Sequence, residues 1–335
     1  MPQLFLPPDS EGLAPALRGF ARAHEAHVVL SEDPVYFTAR DRSPVRRVAL
    51  VSGGGSGHEP LHAGFLGPGL LDAVAPGEVF ASPHNRQVYE ASRAVALDGG
   101  VLHIVKNYTG DKINFGIAAE RLRADGIRVG RVLVHDDVAT ESDETATGRR
   151  GTGATVLVEK ILGAAADRGA DLDELVALGD ALAARVRSVA VASESLTSVH
   201  TGERIFELAD GDLEYGVGIH GERAATTMPY TDLRTLVARM LDDVMASLGS
   251  LSGDALVLVN GLGSASPLEL YAVFDALARQ LDDRGIAIGA SLVGTLVSAL
   301  DMHGFSITVL DVADPAWWEL WRAGADAPAW KETNR

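Results

Sequence analysis

The chain has 335 residues, about the length of two domains, and its 47% hydrophobic against 22% charged content excludes disorder over most of its length. A formal net charge of −17 at pH 7 argues against nucleic acid or an anionic membrane as a partner, since both reward basic surfaces. The absence of cysteine excludes disulfides, thiolate chemistry and cysteine-ligated zinc.

The first residues, MPQLFLPPDSEG, lack a basic segment followed by a long apolar run, so no secretory signal is expected. No apolar stretch reaches the about 18 residues that span a bilayer, and the expected location is the cytoplasm. From there apolar runs alternate with helical patterns, the mark of α/β layering. Strands are expected at 47–51, 101–105, 129–135, 188–192, 213–218, 255–260, 286–293 and 305–311. Helices are expected at 13–24, 86–97, 113–124, 152–168, 172–186, 231–248, 268–283 and 315–322. Most of these strands are short and apolar at consecutive positions, which suits sheets covered on both faces. Two consecutive helices, 152–168 and 172–186, break the alternation. The expectation is an N-terminal α/β domain over 1–187 and a C-terminal α/β domain over 188–335, each a sheet covered by helices. The polar, Gly-containing stretch 140–153 reads as a long surface loop, either linker or lid.

Ligands in open α/β sheets sit at the carboxyl ends of strands, and three unusual segments fall there. After 47–51 comes SGGGSGHEP, with four glycines and His58. It is neither a GxGxxG turn leading into a long helix nor a Walker loop, and it reads as a cradle for a small ligand, or else as a tight turn that merely uses glycine. After 101–105 comes KNYTGD, where Lys106 suits an oxygen ligand and Asp111 is either a base or the cap of a helix beginning near Lys112. After 213–218 comes GIHGE. His220 stands between the glycines Gly218 and Gly221 there, as an accessible nucleophile, base or metal ligand, or as a loop histidine without a role. Asn260–Ser264 reads as a strand-to-helix turn, and Asp136-Asp137 as a solvated pair rather than a metal site. Trp317, Trp318 and Trp321 read as core or interface, and no other histidine shows metal-binding spacing.

These segments resemble the DhaK family, the ketose-binding subunits of dihydroxyacetone kinases. The stretches that carry the likeness are VSGGGSGHEPLHAGF, IVKNYTGDKINFGIAAE, GVGIHGE, VNGLG and SALDMHGFSITVL, in the family's order and over nearly the whole chain. The resemblance implies two α/β domains and a homodimer. It further implies that His220 forms a hemiaminal with the ketone carbon, that His58 and Asp111 act as acid and base, and that Gly55, Ser56, Gly57, His58, Lys106 and Asp111 contact the ketose. No cofactor or metal is expected on this chain. With no Walker loop, and no nucleotide-binding domain after DAPAW, the expected partner is a separate DhaL-like subunit carrying a magnesium nucleotide. Relatives read GEPG where this chain has Gly221-Glu222-Arg223-Ala224, and SPTPDQV where it has SPHNRQV. Stretches 140–153 and 193–204 also depart from the family pattern. Two alternatives follow from the same likeness: a four-carbon ketose such as erythrulose as substrate, or a ketose-sensing coactivator. A sensor needs the nucleophile but no base, so the presence of both His58 and Asp111 favours the kinase.

Overall fold

The computed structural model describes residues 4–6, 12–141, 148–223 and 226–330. Its contacts divide the chain into two units, each built on a six-stranded mixed sheet. The division does not fall at a single point near 187. Residues 135–156 belong with 182–315, whereas 157–181 and 316–335 belong with 4–134. The cause is visible at Asp136 and Asp137, which were expected to be solvated and are instead buried. Asp136 accepts hydrogen bonds from Thr152 N (2.7 Å), Thr152 Oγ1 (2.7 Å), Ala154 N (3.1 Å) and Ser188 Oγ (2.5 Å), which fastens 135–156 to the strand containing Ser188. Asp137 pairs with Arg150 at 2.6 Å. Replacing Asp136 with Ala removes the acceptor of four hydrogen bonds at once and is expected to lower unfolding stability by about 3 kcal/mol. An unchanged denaturant midpoint would show that the network is dispensable.

In the first unit, helix α1 (Ala14–Ala23) precedes the hairpin β1 (Val28–Glu32) and β2 (Val35–Ala39). There follow β3 (Ala49–Ser56), β4 (Ala73–Val79), α2 (Asn85–Val95), β5 (Val101–Lys106), α3 (Thr109–Ala124) and β6 (Val129–Val134). The sheet order is β1-β2-β4-β3-β5-β6, with β4, β3, β5 and β6 parallel. Every residue of β3 and β5 is buried, as strands with both faces covered must be. On one side Val88 of α2 and Phe115 and Leu122 of α3 pack with Ala75 and Val105. His84 does structural work. It caps α2 through a capping box with Gln87. Toward the chain's end Trp317 and Trp321 are buried, and Trp321 packs edge-on against Trp330 at 5.5 Å.

Helices α4 (Ala154–Asp167), α5 (Leu172–Ala184) and α8 (Pro315–Trp321) each contain a point where the chain passes from one unit to the other. The second unit holds β7 (Val186–Glu194), β8 (Asp212–Tyr215), β9 (Thr226–Pro229), α6 (Leu233–Leu248), β10 (Asp254–Gly261), α7 (Pro267–Asp283), β11 (Ile288–Gly294) and β12 (His303–Val312). Its order is β11-β10-β12-β7-β8-β9, antiparallel except for β10 with β11. Leu236, Val237, Met240 and Leu241 of α6 and Leu270, Val273, Leu277 and Leu281 of α7 cover Val189, Val191, Val257, Val259, Ile307 and Val309. These helices begin at side-chain caps from Asp232 and Ser266. The Asn260 side chain holds Leu296 and Val297 backbone groups, so this turn residue acts as a structural clamp. Among the described residues no helix is long and apolar enough to cross a membrane.

Candidate functional site

The glycine-rich segment of the first unit is not a loop beyond a strand. Strand β3 continues through it, with Gly53 opposite Ala75, Gly54 opposite Pro76 and Gly55 opposite Gly77. The glycines are required by what lies beside them. A Cβ at Gly53 would stand 2.4 Å from Ala75 O, at Gly54 2.2 Å from Lys106 Nζ, and at Gly55 2.7 Å from Phe80 Cα. Gly54 in particular leaves the space into which the Lys106 ammonium extends. Two polar groups of the segment have protein partners. Ser56 Oγ donates to Gly77 O (2.7 Å), and Gly57 N–H donates to the Glu59 carboxylate (3.0 Å).

Gly57, at φ 101°, turns the chain so that His58 enters the interior, where it is fully buried. The His58 ring lies against Phe80 at 5.1 Å between centroids. Phe80 itself has φ 56°, uncommon for a bulky residue, and its N–H donates to Ser56 O at 2.9 Å. Phe80 escaped sequence reasoning because it sits past β4 in no recognisable motif.

Lys106 is the last residue of β5 and is 1% exposed. Its Nζ reaches His62 Nε2 at 2.6 Å. Burial lowers the lysine's proton affinity, and the charges of Asp111 and Glu159 oppose that without cancelling it. Asp111 is not the helix cap. Helix α3 starts at Thr109, so Asp111 lies inside the first turn, buried, with the positive end of the helix dipole favouring its carboxylate. His58, Lys106 and Asp111 thus all belong to the first unit.

His220 belongs to the second unit, in a tight turn with Gly216 at φ 82° and Gly221 at φ 78°. Its Nδ1 meets Glu222 Oε1 at 2.8 Å, and its backbone N–H donates to Glu222 Oε2 at 3.0 Å. Partial burial pulls the Glu222 carboxyl up, but the hydrogen bond and charge of His220, with Arg150 nearby, hold it at about 2. A carboxylate only accepts, so Nδ1 carries a proton, and the neutral form of the ring then has its lone pair on Nε2. Gly218 permits the arrangement, since a Cβ there would fall 2.0 Å from Glu222 Oε2 and 2.6 Å from Arg150 Nη1. Arg150, expected in a surface loop, is buried and donates to Asp137 Oδ2 (2.8 Å) and Gly216 O (2.8 Å). Arg223 binds the fully buried Glu214 at 2.9 Å. Ala224 lies outside the described residues, as do 142–147 of the polar loop. Among the described residues no group of three or more histidine or acidic side chains is placed to hold a metal.

One unit thus carries a buried lysine and aspartate at and just past the end of a parallel strand, and the other a histidine oriented by a carboxylate. The chain matches the Dak1 domain over residues 18–329. It is 41% identical over 315 residues to the dihydroxyacetone-binding subunit DhaK of a PTS-dependent dihydroxyacetone kinase of Listeria innocua, covering 94% of this chain and 95% of that one. It superposes on the dihydroxyacetone kinase of C. freundii with a TM-score of 0.87 at 34% identity, covering 99% of this chain and 60% of that one. On the dihydroxyacetone kinase operon co-activator DhaQ the TM-score is 0.90 at 29% identity, covering 95% and 98%. The chain belongs to the Dak1-domain family of dihydroxyacetone kinases.

Proposed function

We propose that this chain is the ketose-binding subunit of a dihydroxyacetone kinase, and that it holds dihydroxyacetone or a similar short ketose as a hemiaminal on His220. The observation that carries this reading is the Glu222–His220 pair. With Nδ1 donating to the carboxylate, Nε2 is the nitrogen assigned to attack the ketone carbon in the neutral ring. As the N–C bond forms, the carbonyl π pair moves to oxygen, which takes a proton from an acid. The imidazole becomes cationic while bonded to Glu222, so the carboxylate stabilises the adduct as it forms. His58 is assigned as the acid toward the ketose, Lys106 as an oxygen ligand, and Asp111 as the base that removes the hydroxyl proton when phosphorus is attacked. Gly55, Ser56 and Gly57 are assigned as further ketose contacts, through groups other than the Ser56 hydroxyl and the Gly57 N–H, which have protein partners.

The phosphoryl donor in this reading is a magnesium nucleotide on a DhaL-like partner subunit, and the chain itself assembles as a homodimer. The test is reconstitution of ketose phosphorylation with a DhaL-like subunit. One arm contains ATP alone and another a phosphoenolpyruvate-driven phosphotransferase protein. Transfer in either arm supports the kinase. Capture of the ketose with no transfer in both arms supports the second reading, a ketose-sensing coactivator, which the likeness to DhaQ favours. Running erythrulose beside dihydroxyacetone decides the chain length of the ketose.

The same reading makes a prediction at Gly54. A methyl group there would displace the Lys106 ammonium, the flexible end of its side chain, so Gly54→Ala is expected to fold. Ketose phosphorylation should fall by about 100-fold in kcat/KM, as small displacements of a positioning group do. Unchanged kinetics would remove Lys106 from the site.

A further inference from the structure

Behind Lys106 lies a chain of polar groups that the reaction above does not use. His62 Nε2 is 2.6 Å from Lys106 Nζ, and His62 Nδ1 is 2.6 Å from Glu159 Oε1 and 3.0 Å from Ser52 Oγ. Ser52 in turn donates to Ile104 O at 2.9 Å, which leaves its oxygen as an acceptor toward the ring. The side chains of His62 and Glu159 are 2% and 0% exposed, and Lys106 and Ser52 are equally enclosed. All four belong to the first unit. Glu159 Oε2 is buried without a hydrogen-bond partner among the described residues.

Such an assembly is costly as structure. Buried ionisable groups lose their hydration, and apolar residues of the same volume commonly serve stability as well or better. What the assembly supplies is direction. An ammonium only donates, so His62 Nε2 must accept from Lys106, and the ring proton then sits on Nδ1 and points to Glu159. The imidazole is locked in one tautomer and one orientation, and it locks Lys106 beside Gly54. We propose that His62 and Glu159 are positioning residues that fix Lys106 for its contact with the ketose, His62 directly and Glu159 through the tautomer of His62. The inference rests on the proposed role of Lys106 as a ketose ligand. Its electrostatics agree. Burial drives His62 well below its ordinary value, with the charges of Lys106 and His58 adding to the effect, so the ring is neutral and able to accept. Burial also raises Glu159 to about 8, opposed by Ser52 and the charge of Lys106, so near neutral pH the carboxyl is largely protonated and accepts from Nδ1–H through its carbonyl oxygen.

The test has two arms. In the first, nitrogen-15 NMR of the histidine rings is recorded on the full chain without ketose, with His62→Gln used to assign the His62 signals. The expected result is a protonated Nδ1 and a bare Nε2 on His62, with the Nδ1 signal moved by Glu159→Gln. A protonated Nε2 in the wild type, or no response to Glu159→Gln, would overturn the proposal. In the second arm ketose capture is measured. Glu159→Gln and His62→Leu are expected to weaken it by about tenfold or more, the usual size of effects from residues that orient a ligand-contacting group. His62→Gln, whose carboxamide oxygen can accept from Lys106, should recover most of that loss. Capture at wild-type strength in both weakened variants would refute the positioning role. Should His62→Leu fail to fold, the near-isosteric Glu159→Gln decides the matter. If the wild type captures no ketose, the functional reading fails, and the tautomer arm alone then decides the proposal.

Discussion

Replacing Asp111 with Asn is expected to leave the ketose bound to His220 while phosphoryl transfer falls by about 10²- to 10⁴-fold, the usual contribution of a positioned general base. The substitution keeps the size of the side chain, and helix α3 does not depend on Asp111 for its cap, so the fold should be indifferent to it. What is lost is the negative charge that takes the hydroxyl proton and that, with Glu159, raises the proton affinity of Lys106. The check is a pair of assays on one preparation: capture of labelled ketose, and turnover with a DhaL-like subunit. Normal turnover in Asp111→Asn would assign the base elsewhere. Loss of capture together with turnover would make Asp111 a binding group instead.

His220→Ala is expected to abolish the covalent adduct and with it the discrimination between a ketose and glycerol. A three-carbon ligand offers few atoms, so contacts alone give limited affinity, and a reversible bond to nitrogen supplies the remainder. Glycerol carries similar hydroxyls but no carbonyl, so it is excluded by chemistry rather than by shape. The variant should bind dihydroxyacetone about a hundredfold more weakly, a loss of about 3 kcal/mol, and bind it no better than glycerol. Calorimetric titration with both ligands measures this directly. Glu222→Gln should fall between the two proteins, because its carboxamide can still accept from Nδ1 but no longer stabilises an imidazolium.

The helices and long strands were legible because their apolar runs are long and their ends carry glycine or polar caps. Four strands were not. Strand β4, AVAPGEV, contains Pro76 and Gly77, which read as turn signals, yet it pairs with a partner whose own glycines permit close approach. Strands β1 and β2 form a short hairpin turning at Asp33-Pro34, and β9 is a four-residue edge strand. The division into units was illegible because it depends on hydrogen bonds from Asp136 to Ser188, 52 residues apart in sequence. The histidines and the aspartate assigned to chemistry stand in glycine-flanked segments at strand ends or just beyond, and family resemblance supplied their roles. The groups behind them were hidden. His62 and Arg150 look ordinary until the fold brings Glu159 to one and Glu222 and Asp137 to the other. One signal was available in the sequence, since Glu159 and Lys160 interrupt the apolar run of α4, and a charged pair in such a run needs a buried use.

The central claim is that His220 captures a ketone carbon. Dihydroxyacetone enriched in carbon-13 at the carbonyl, added to the purified chain and followed by carbon NMR, tests it most directly. A protein-bound signal is expected to leave the ketone region for that of a tetrahedral carbon bearing nitrogen and oxygen, present in the wild type and absent in His220→Ala. A signal that stays in the ketone region with both dihydroxyacetone and erythrulose, or an adduct that persists in His220→Ala, would contradict it.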